Sequence, residues 1–154
     1  MNRVEVERVV ERSPETVYEA VADFRRYPRY SKYLERVRED RRVDGLPHYT
    51  LEFAWWRLTY DVSTRVVAAN APNYLDWEIT TSLDASGRWS VESLDDGSKA
   101  RLVLRADYDP DSVGDRAVSL PFGVSLDWVL DKAVTLVENE ADRVIDRIVK
   151  DVEG

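Results

Sequence analysis

The chain has no cysteine and only one histidine and one methionine among its 154 residues. Without thiols there is no disulfide framework, no thiolate zinc site, no iron–sulfur cluster and no cysteine nucleophile. With His48 alone, a histidine metal cluster is excluded and serines such as Ser119 and Ser125 have no triad partner pattern. His48 itself follows Pro47 at the start of a strand pattern and reads as structural. Glycine-rich phosphate loops are absent. No apolar run approaches the roughly 18 residues that a membrane span needs, and Met1 to Glu7 has no apolar leader segment. These absences predict a soluble, cytoplasmic protein. Lysine is also scarce, with Lys32, Lys99, Lys132 and Lys150 the only ones among 22 basic residues.

What is present is charge and aromatic surface. Acids outnumber bases 30 to 22, for a net charge of -8, which disfavours a protein that tracks nucleic-acid phosphates. The nearest basic stretch, Arg25-Arg26 through Arg41-Arg42, is interrupted by Asp23, Glu35, Glu39 and Asp40 and reads as a mixed solvated face. Arginine over lysine on an acidic surface resembles proteins of salt-loving microbes, where short Debye lengths screen self-repulsion. The length suits one domain spanning 1–154, large enough to bury a core unaided.

Hydrophobic periodicity divides the chain cleanly. Residues 4–11 alternate as a strand. Ser13-Pro14-Glu15 then supplies a hydroxyl cap, a proline where no N–H is needed and an acid facing the helix dipole. Val17, Ala20, Val21 and Phe24 continue at helical spacing, Tyr27-Pro28 ends the helix, and a short helical turn is expected around Arg29 to Tyr33. From there the period is two. Strands are predicted over 34–42, 48–56, 58–69, 74–83, 88–94 and 99–108. Asp84-Ala85-Ser86-Gly87 and Asp95-Asp96-Gly97-Ser98 are expected as hairpin loops, so the strands form an antiparallel meander. Residues 109–123 read as a linker. Over 125–152, Leu126, Val129, Leu130, Ala133, Leu136, Val137, Ala141, Val144, Ile145 and Ile148 recur three and four apart, predicting an amphipathic helix roughly 40 Å long.

Strand, short helices, meander and long helix define an α+β domain whose sheet must cover its apolar face with the last helix. Val9-Val10-Glu11-Arg12-Ser13-Pro14-Glu15-Thr16-Val17-Tyr18, then Val21-Ala22-Asp23-Phe24 and the Tyr27-Pro28 break, resemble the opening of the polyketide cyclase/dehydrase and coenzyme Q-binding branch of the START-like (SRPBCC) superfamily. Asn139-Glu140 within a long helix after Pro121-Phe122-Gly123 is similar too. The resemblance implies a helix-grip fold: a curved antiparallel sheet of about seven strands around the C-terminal helix, with one or two short helices after the first strand. It also implies a hydrophobic cavity for a lipid, quinone, sterol or polyketide, with a minority of relatives catalysing cyclisation or dehydration. These motifs are structural, so they speak to fold more than to chemistry.

Alternation identifies the cavity wall. Tyr49, Leu51, Phe53 and Trp55 share a face with Leu58, Tyr60, Val62, Thr64 and Val66, with Leu75, Trp77, Ile79 and Thr81, with Trp89 and Val91, and with Leu102, Leu104, Ala106 and Tyr108. None is charged. Glu52, Asp61, Arg65, Asp76, Glu78, Glu92, Arg101, Arg105 and Asp107 fill the other face. A wall offering only tyrosine and threonine hydroxyls and apolar surface points to binding rather than catalysis. Tyr49, Tyr60, Tyr108, Thr64 and Thr81 are candidates to orient a carbonyl or headgroup, and Trp55, Trp77 and Trp89 to hold a ring or acyl chain. Val118, Leu120, Pro121, Phe122, Val124 and Trp128, beside Val129 at the helix start, read as a lid. Acids at Asp95-Asp96 and at Asp107, Asp109 and Asp111 read as solvated turn and surface residues, so no metal or other cofactor is expected. The partner implied is a hydrophobic small molecule. The alternatives are an aromatase/cyclase or dehydratase of polyketide-like substrates and a ribosome-associated interaction protein, and a transient membrane contact stays open.

Overall fold

In the computed structural model the described residues are 1–55, 57–81, 83–113, 120 and 122–154. Strand β1 (Asn2–Val10) leads into helix α1 (Pro14–Ala22). Ser13 caps that helix as expected: its Oγ accepts from the Thr16 backbone N–H at 3.3 Å, and Pro14 occupies the first turn. The short second helix comes earlier than its predicted place around Arg29 to Tyr33. It is a 3₁₀ helix over Phe24–Arg29 capped by Asp23, with Pro28 inside it. Asp23 leaves α1 in an extended conformation, and its carboxylate accepts from the Arg25 N–H at 3.2 Å to start the 3₁₀ helix, five residues before Pro28.

Six strands follow: β2 (Leu34–Glu39), β3 (His48–Trp55), β4 (Leu58–Asn70), β5 (Tyr74–Ile79), β6 (Asp84–Leu94) and β7 (Lys99–Asp109). They join β1 in one antiparallel sheet ordered β1-β7-β6-β5-β4-β3-β2. Hairpin connections bring each sequential strand beside its predecessor, and β1 closes on β7. Irregular register between Leu34 and Arg36 and between Val66 and Ala68 adds local twist to the sheet. The predicted strand 34–42 ends at Glu39, and 74–83 ends at Ile79.

One turn is displaced. Asp84-Ala85-Ser86-Gly87 is not a hairpin loop but the first part of β6, paired with β5 from Ala85 to Ser90. Asp and Gly there resemble turn chemistry, yet pairing on both sides outweighs local preference. Asp95, Asp96 and Gly97 do form the next turn, all three with positive φ.

Helix α2 (Leu126–Glu153) starts at Ser125, whose Oγ accepts from Trp128 N–H at 3.2 Å. It packs along β1. Arg8 takes the inward position between Val6 and Val10, opposite Leu102, and reaches Asp142 at 3.1 Å and Asp146 at 2.8 Å on α2. Val9, by contrast, is exposed. Helix α1 shares in covering the sheet: Val17, Ala20 and Val21 are buried, and Val17 and Val21 join one cluster with Val10, Ala100, Leu102, Ile145 and Ile148. A buried aliphatic side chain is worth about 1.5–3 kcal/mol here.

Candidate functional site

Cross-strand register assembles the inner face in rows. Tyr49, Thr64, Ile79, Ala85 and Tyr108 stand side by side across β3, β4, β5, β6 and β7. The next row carries Val66, Trp77, Gly87, Ala106 and Val4, and the one after it Leu75, Trp89, Leu104 and Val6. Beyond the first row, Leu51 faces Val62, Phe53 faces Tyr60 and Trp55 faces Leu58. The charged set keeps to the opposite face, where Arg65 pairs with Glu78, Arg88 with Asp76, Arg3 with Asp107 and Arg36 with Glu52.

Burial separates these residues into two groups. Val62, Trp89, Leu102, Tyr108 and Val129 are buried, whereas Leu51, Phe53, Trp55, Tyr60, Trp77, Ile79 and Leu104 are half-buried. Tyr49 is buried for a local reason: its ring stacks on Phe24 at 4.7 Å, beneath the 3₁₀ helix. Thr81 departs from the expected wall. It lies past the end of β5, exposed, and its Oγ1 accepts from Ser63 N–H at 3.1 Å. Among the lid residues, Leu120 and Val124 are half-buried. Phe122 is fully exposed, Trp128 is 45% exposed with Lys132 over its ring, and Val118 and Pro121 lie outside the described residues. Val137, read as part of the apolar stripe, is exposed too.

The wall is polar at particular atoms. Tyr60 Oη, Thr64 Oγ1, Trp77 Nε1 and Tyr108 Oη are each buried without a hydrogen-bond partner among the described residues. A buried polar atom left unpaired costs about 1–3 kcal/mol, and these four share one face of one sheet. Burial also pushes the Tyr60 phenol above its ordinary pKa, so it stays protonated and able to donate at neutral pH. By contrast, the tyrosines under the 3₁₀ helix are satisfied. Tyr27 donates to the Val21 carbonyl, and Tyr30 donates to Asp151 Oδ2 at 2.6 Å.

The interior is not free of charge, contrary to the expectation from alternation. Glu140 on α2 is 7% exposed; its Oε1 accepts from Arg147 at 2.9 Å, and Arg143 stands 3.5 Å from Oε2. The same Arg147 nitrogen donates to the Tyr30 carbonyl at 2.8 Å, tying α2 to the 3₁₀ helix. Position 140 falls on the apolar stripe, three residues after Val137 and four before Val144, so its carboxylate sits where periodicity places core residues. Arg147, seven residues on and two turns along the same face, is the legible candidate for its partner.

A cleft of about 490 Å³ also opens beside the outer face, bordered by Arg65, Glu78, Ser86 and Asp107. Two of its charges are paired, Arg65 with Glu78 and Asp107 with Arg3, and none of the buried unpaired groups of the inner wall borders it.

A seven-stranded antiparallel sheet gripping a long C-terminal helix, with short helices after the first strand, is the helix-grip fold of START-like proteins. The family model for polyketide cyclase/dehydrase and lipid transport matches residues 1–153, and the chain belongs to that family. Among solved structures, it is similar to the Zhui aromatase/cyclase from Streptomyces sp. R1128, with TM-score 0.77 and 16% identity over 99% of this chain and 93% of that one. A START superfamily protein from Mycobacterium smegmatis is similar at TM-score 0.60 and 19% identity, covering 99% of this chain and 94% of that one. The di-domain aromatase/cyclase StfQ of the steffimycin biosynthetic pathway matches at TM-score 0.68 and 10% identity; this chain covers 96% of itself and 49% of StfQ. At these identities the likeness is one of fold. No curated protein matches the chain significantly. Family and neighbours together support a hydrophobic-ligand or polyketide-related role, without specifying one.

Proposed function

We propose that the chain, acting as one ligand-binding domain, binds and carries an uncharged, largely apolar small molecule between the inner face of the sheet and α2. The observation that carries this reading is the set of four unpartnered hydrogen-bonding groups, Tyr60, Thr64, Trp77 and Tyr108, on a wall that is otherwise apolar. A wall meant only for packing would have apolar atoms at those places, since burying an unpaired hydroxyl or N–H lowers stability for no structural return. A ligand with carbonyl or ether oxygens satisfies them and covers the half-buried Leu51, Phe53, Trp55 and Ile79. A lipid, a polyprenyl quinone and a polyketide-like molecule all meet that description. The setting we infer is the cytoplasm of a cell with high internal salt, on the net charge of -8 and the scarcity of lysine.

Native mass spectrometry of protein purified from its own host, followed by organic extraction, tests the proposal. A stoichiometric apolar ligand is the expected result. Protein that emerges empty and also fails to take up lipids or quinones added in detergent-free buffer overturns it.

A catalytic reading is favoured by one observation, the aromatase/cyclase identity of two similar structures. It requires a proton donor or acceptor on the wall, and Tyr60, buried and unpartnered, is the group to test. Conversion of a polyketide-like substrate that falls at least a hundredfold in Tyr60→Phe, with ligand binding retained, would establish it. Absence of turnover by the wild type leaves the carrier reading.

A further inference from the structure

Gly87 lies on the inner face in the middle of β6, opposite Trp77 on β5 and Ala106 on β7. Its φ is not in the left-handed region, so backbone conformation does not call for glycine. Space does. A Cβ at this position would stand 2.3 Å from Trp77 Cζ2, 2.6 Å from Cε2 and 2.7 Å from the Arg105 carbonyl oxygen, all far inside van der Waals contact. The indole of Trp77 therefore rests against the backbone of β6 in a seat that only glycine leaves open.

The seat has small neighbours. Ala85 and Ala106 share the face on either side of Gly87, in the two rows that also hold Tyr108 and Trp77. Tyr108 stands directly opposite Ala85, 8% exposed, with a hydroxyl that has no hydrogen-bond partner among the described residues. Trp77 Nε1 is in the same condition. An indole nitrogen can only donate, whereas a phenol can donate or accept. The pair therefore calls for acceptor oxygens. A ligand offering only donor groups leaves the indole N–H unpaired, and a plain hydrocarbon leaves both groups unpaired.

We propose that Trp77, seated on Gly87, forms with Tyr108 the polar subsite of the cavity and selects ligands that carry acceptor oxygens on a planar ring. The two aromatic side chains and the small-residue floor of Ala85, Gly87 and Ala106 suit a flat ring, and the two donors suit carbonyls on it. Gly87 is the positioning residue, because any side chain there drives the indole off the sheet and into the ligand's space. This proposal rests on the ligand-binding reading above and assigns that cavity its selectivity.

The test uses two probes of matched shape: menadione, a two-ring 1,4-dione, and 2-methylnaphthalene, its counterpart without oxygens. Dissociation constants are measured by calorimetry for the wild type and for Trp77→Phe, Tyr108→Phe and Gly87→Ala. The wild type is expected to hold menadione at least tenfold more tightly than 2-methylnaphthalene, as two hydrogen bonds of about 1 kcal/mol each allow. Trp77→Phe and Tyr108→Phe should each shrink that ratio about fivefold and leave 2-methylnaphthalene within twofold. Gly87→Ala should weaken both probes. Should Gly87→Ala fail to fold, the two phenylalanine variants decide, with thermal melts confirming their integrity. Equal binding of both probes by the wild type, or an unchanged ratio in both phenylalanine variants, overturns the selectivity while leaving a hydrophobic carrier in place. Neither probe binding, while native mass spectrometry finds another apolar ligand, overturns it equally. Neither probe binding to protein that also carries nothing from its host removes the ligand-binding reading itself.

Discussion

The two ends of the sheet's inner face are lined by the same kinds of residue and finished differently. Where β1 and β7 meet α1 and the C-terminal half of α2, the packing is close: Ala100, Leu102, Val17 and Ile145 expose nothing, and Tyr27, Tyr30 and Arg147 have partners, whereas Glu140 Oε2 and, at the far end of β7, Tyr108 Oη have no hydrogen-bond partner among the described residues. Toward β3, β4 and β5, Leu51, Phe53, Trp55, Tyr60 and Trp77 are left half-buried, and hydroxyls and an indole N–H go unpaired. The α2 segment that precedes Glu140 matches this second style, with Val129 buried but Ala133, Val134 and Leu136 only partly covered. One end holds the molecule together; the other has interaction capacity to spare. The proposed site thus lies at the less completely packed end of the sheet, as expected if a ligand site accepts some local instability.

Truncating side chains at the two ends should separate them most clearly. Leu102→Ala, at a fully buried position, is expected to lose about 3–4 kcal/mol in urea unfolding, and Phe53→Ala only about 1–2 kcal/mol. Ligand uptake should show the reverse, with Phe53→Ala the weaker binder once both variants are folded. Comparable losses of stability at both positions would mean that the half-buried end is as much core as the other.

Polar groups give a finer contrast. Tyr30→Phe removes the 2.6 Å bond to Asp151 and should cost about 1–2 kcal/mol. Tyr108→Phe and Thr64→Val remove groups that bond to nothing among the described residues, so thermal unfolding should find each neutral or stabilised by up to about 1 kcal/mol. A clear destabilisation by Tyr108→Phe would show its hydroxyl to be structural.

The smallest effect concerns pH. Burial and the neighbouring Asp151 carboxylate hold Tyr30 up to about 12, against an ordinary value of 10. The native state therefore keeps a proton that the unfolded chain releases, and the resulting stability is complete below pH 10 and lost as the pH rises toward 12. At pH 10.5 that loss is on the order of 1 kcal/mol for Tyr30, with Tyr27 adding to it in the same direction. Chemical denaturation at pH 8 and pH 10.5 measures it, and Tyr30→Phe should flatten the difference. An unchanged slope in that variant would place the alkaline sensitivity elsewhere.

Much of this architecture is legible in the amino-acid order. The Ser13 and Ser125 caps, the strand alternation and the 3.6-residue stripe of the last helix are local signals, and each matches an element within a few residues. The displaced turn at 84–87 shows the limit. Gly87 looks like a turn glycine because composition cannot distinguish glycine needed for conformation from glycine needed for space. Only the partner strand, with Trp77 pressed against it, makes that distinction. Glu140 shows a similar limit: its place on the stripe and in the Asn139-Glu140 pair is legible, but its bond to Arg147, which also holds the Tyr30 carbonyl, is set by packing.

By itself the sequence determined the order of elements, the apolar and charged faces of the sheet, and an inner wall of aromatic and hydroxyl side chains, because periodicity and caps act over a few residues. Tertiary structure alone decided which of those wall residues are packed and which are left with unpaired atoms. That depends on what lies across the groove, and the neighbour across the groove is a hundred residues away in the chain or on another strand, beyond the reach of any local pattern.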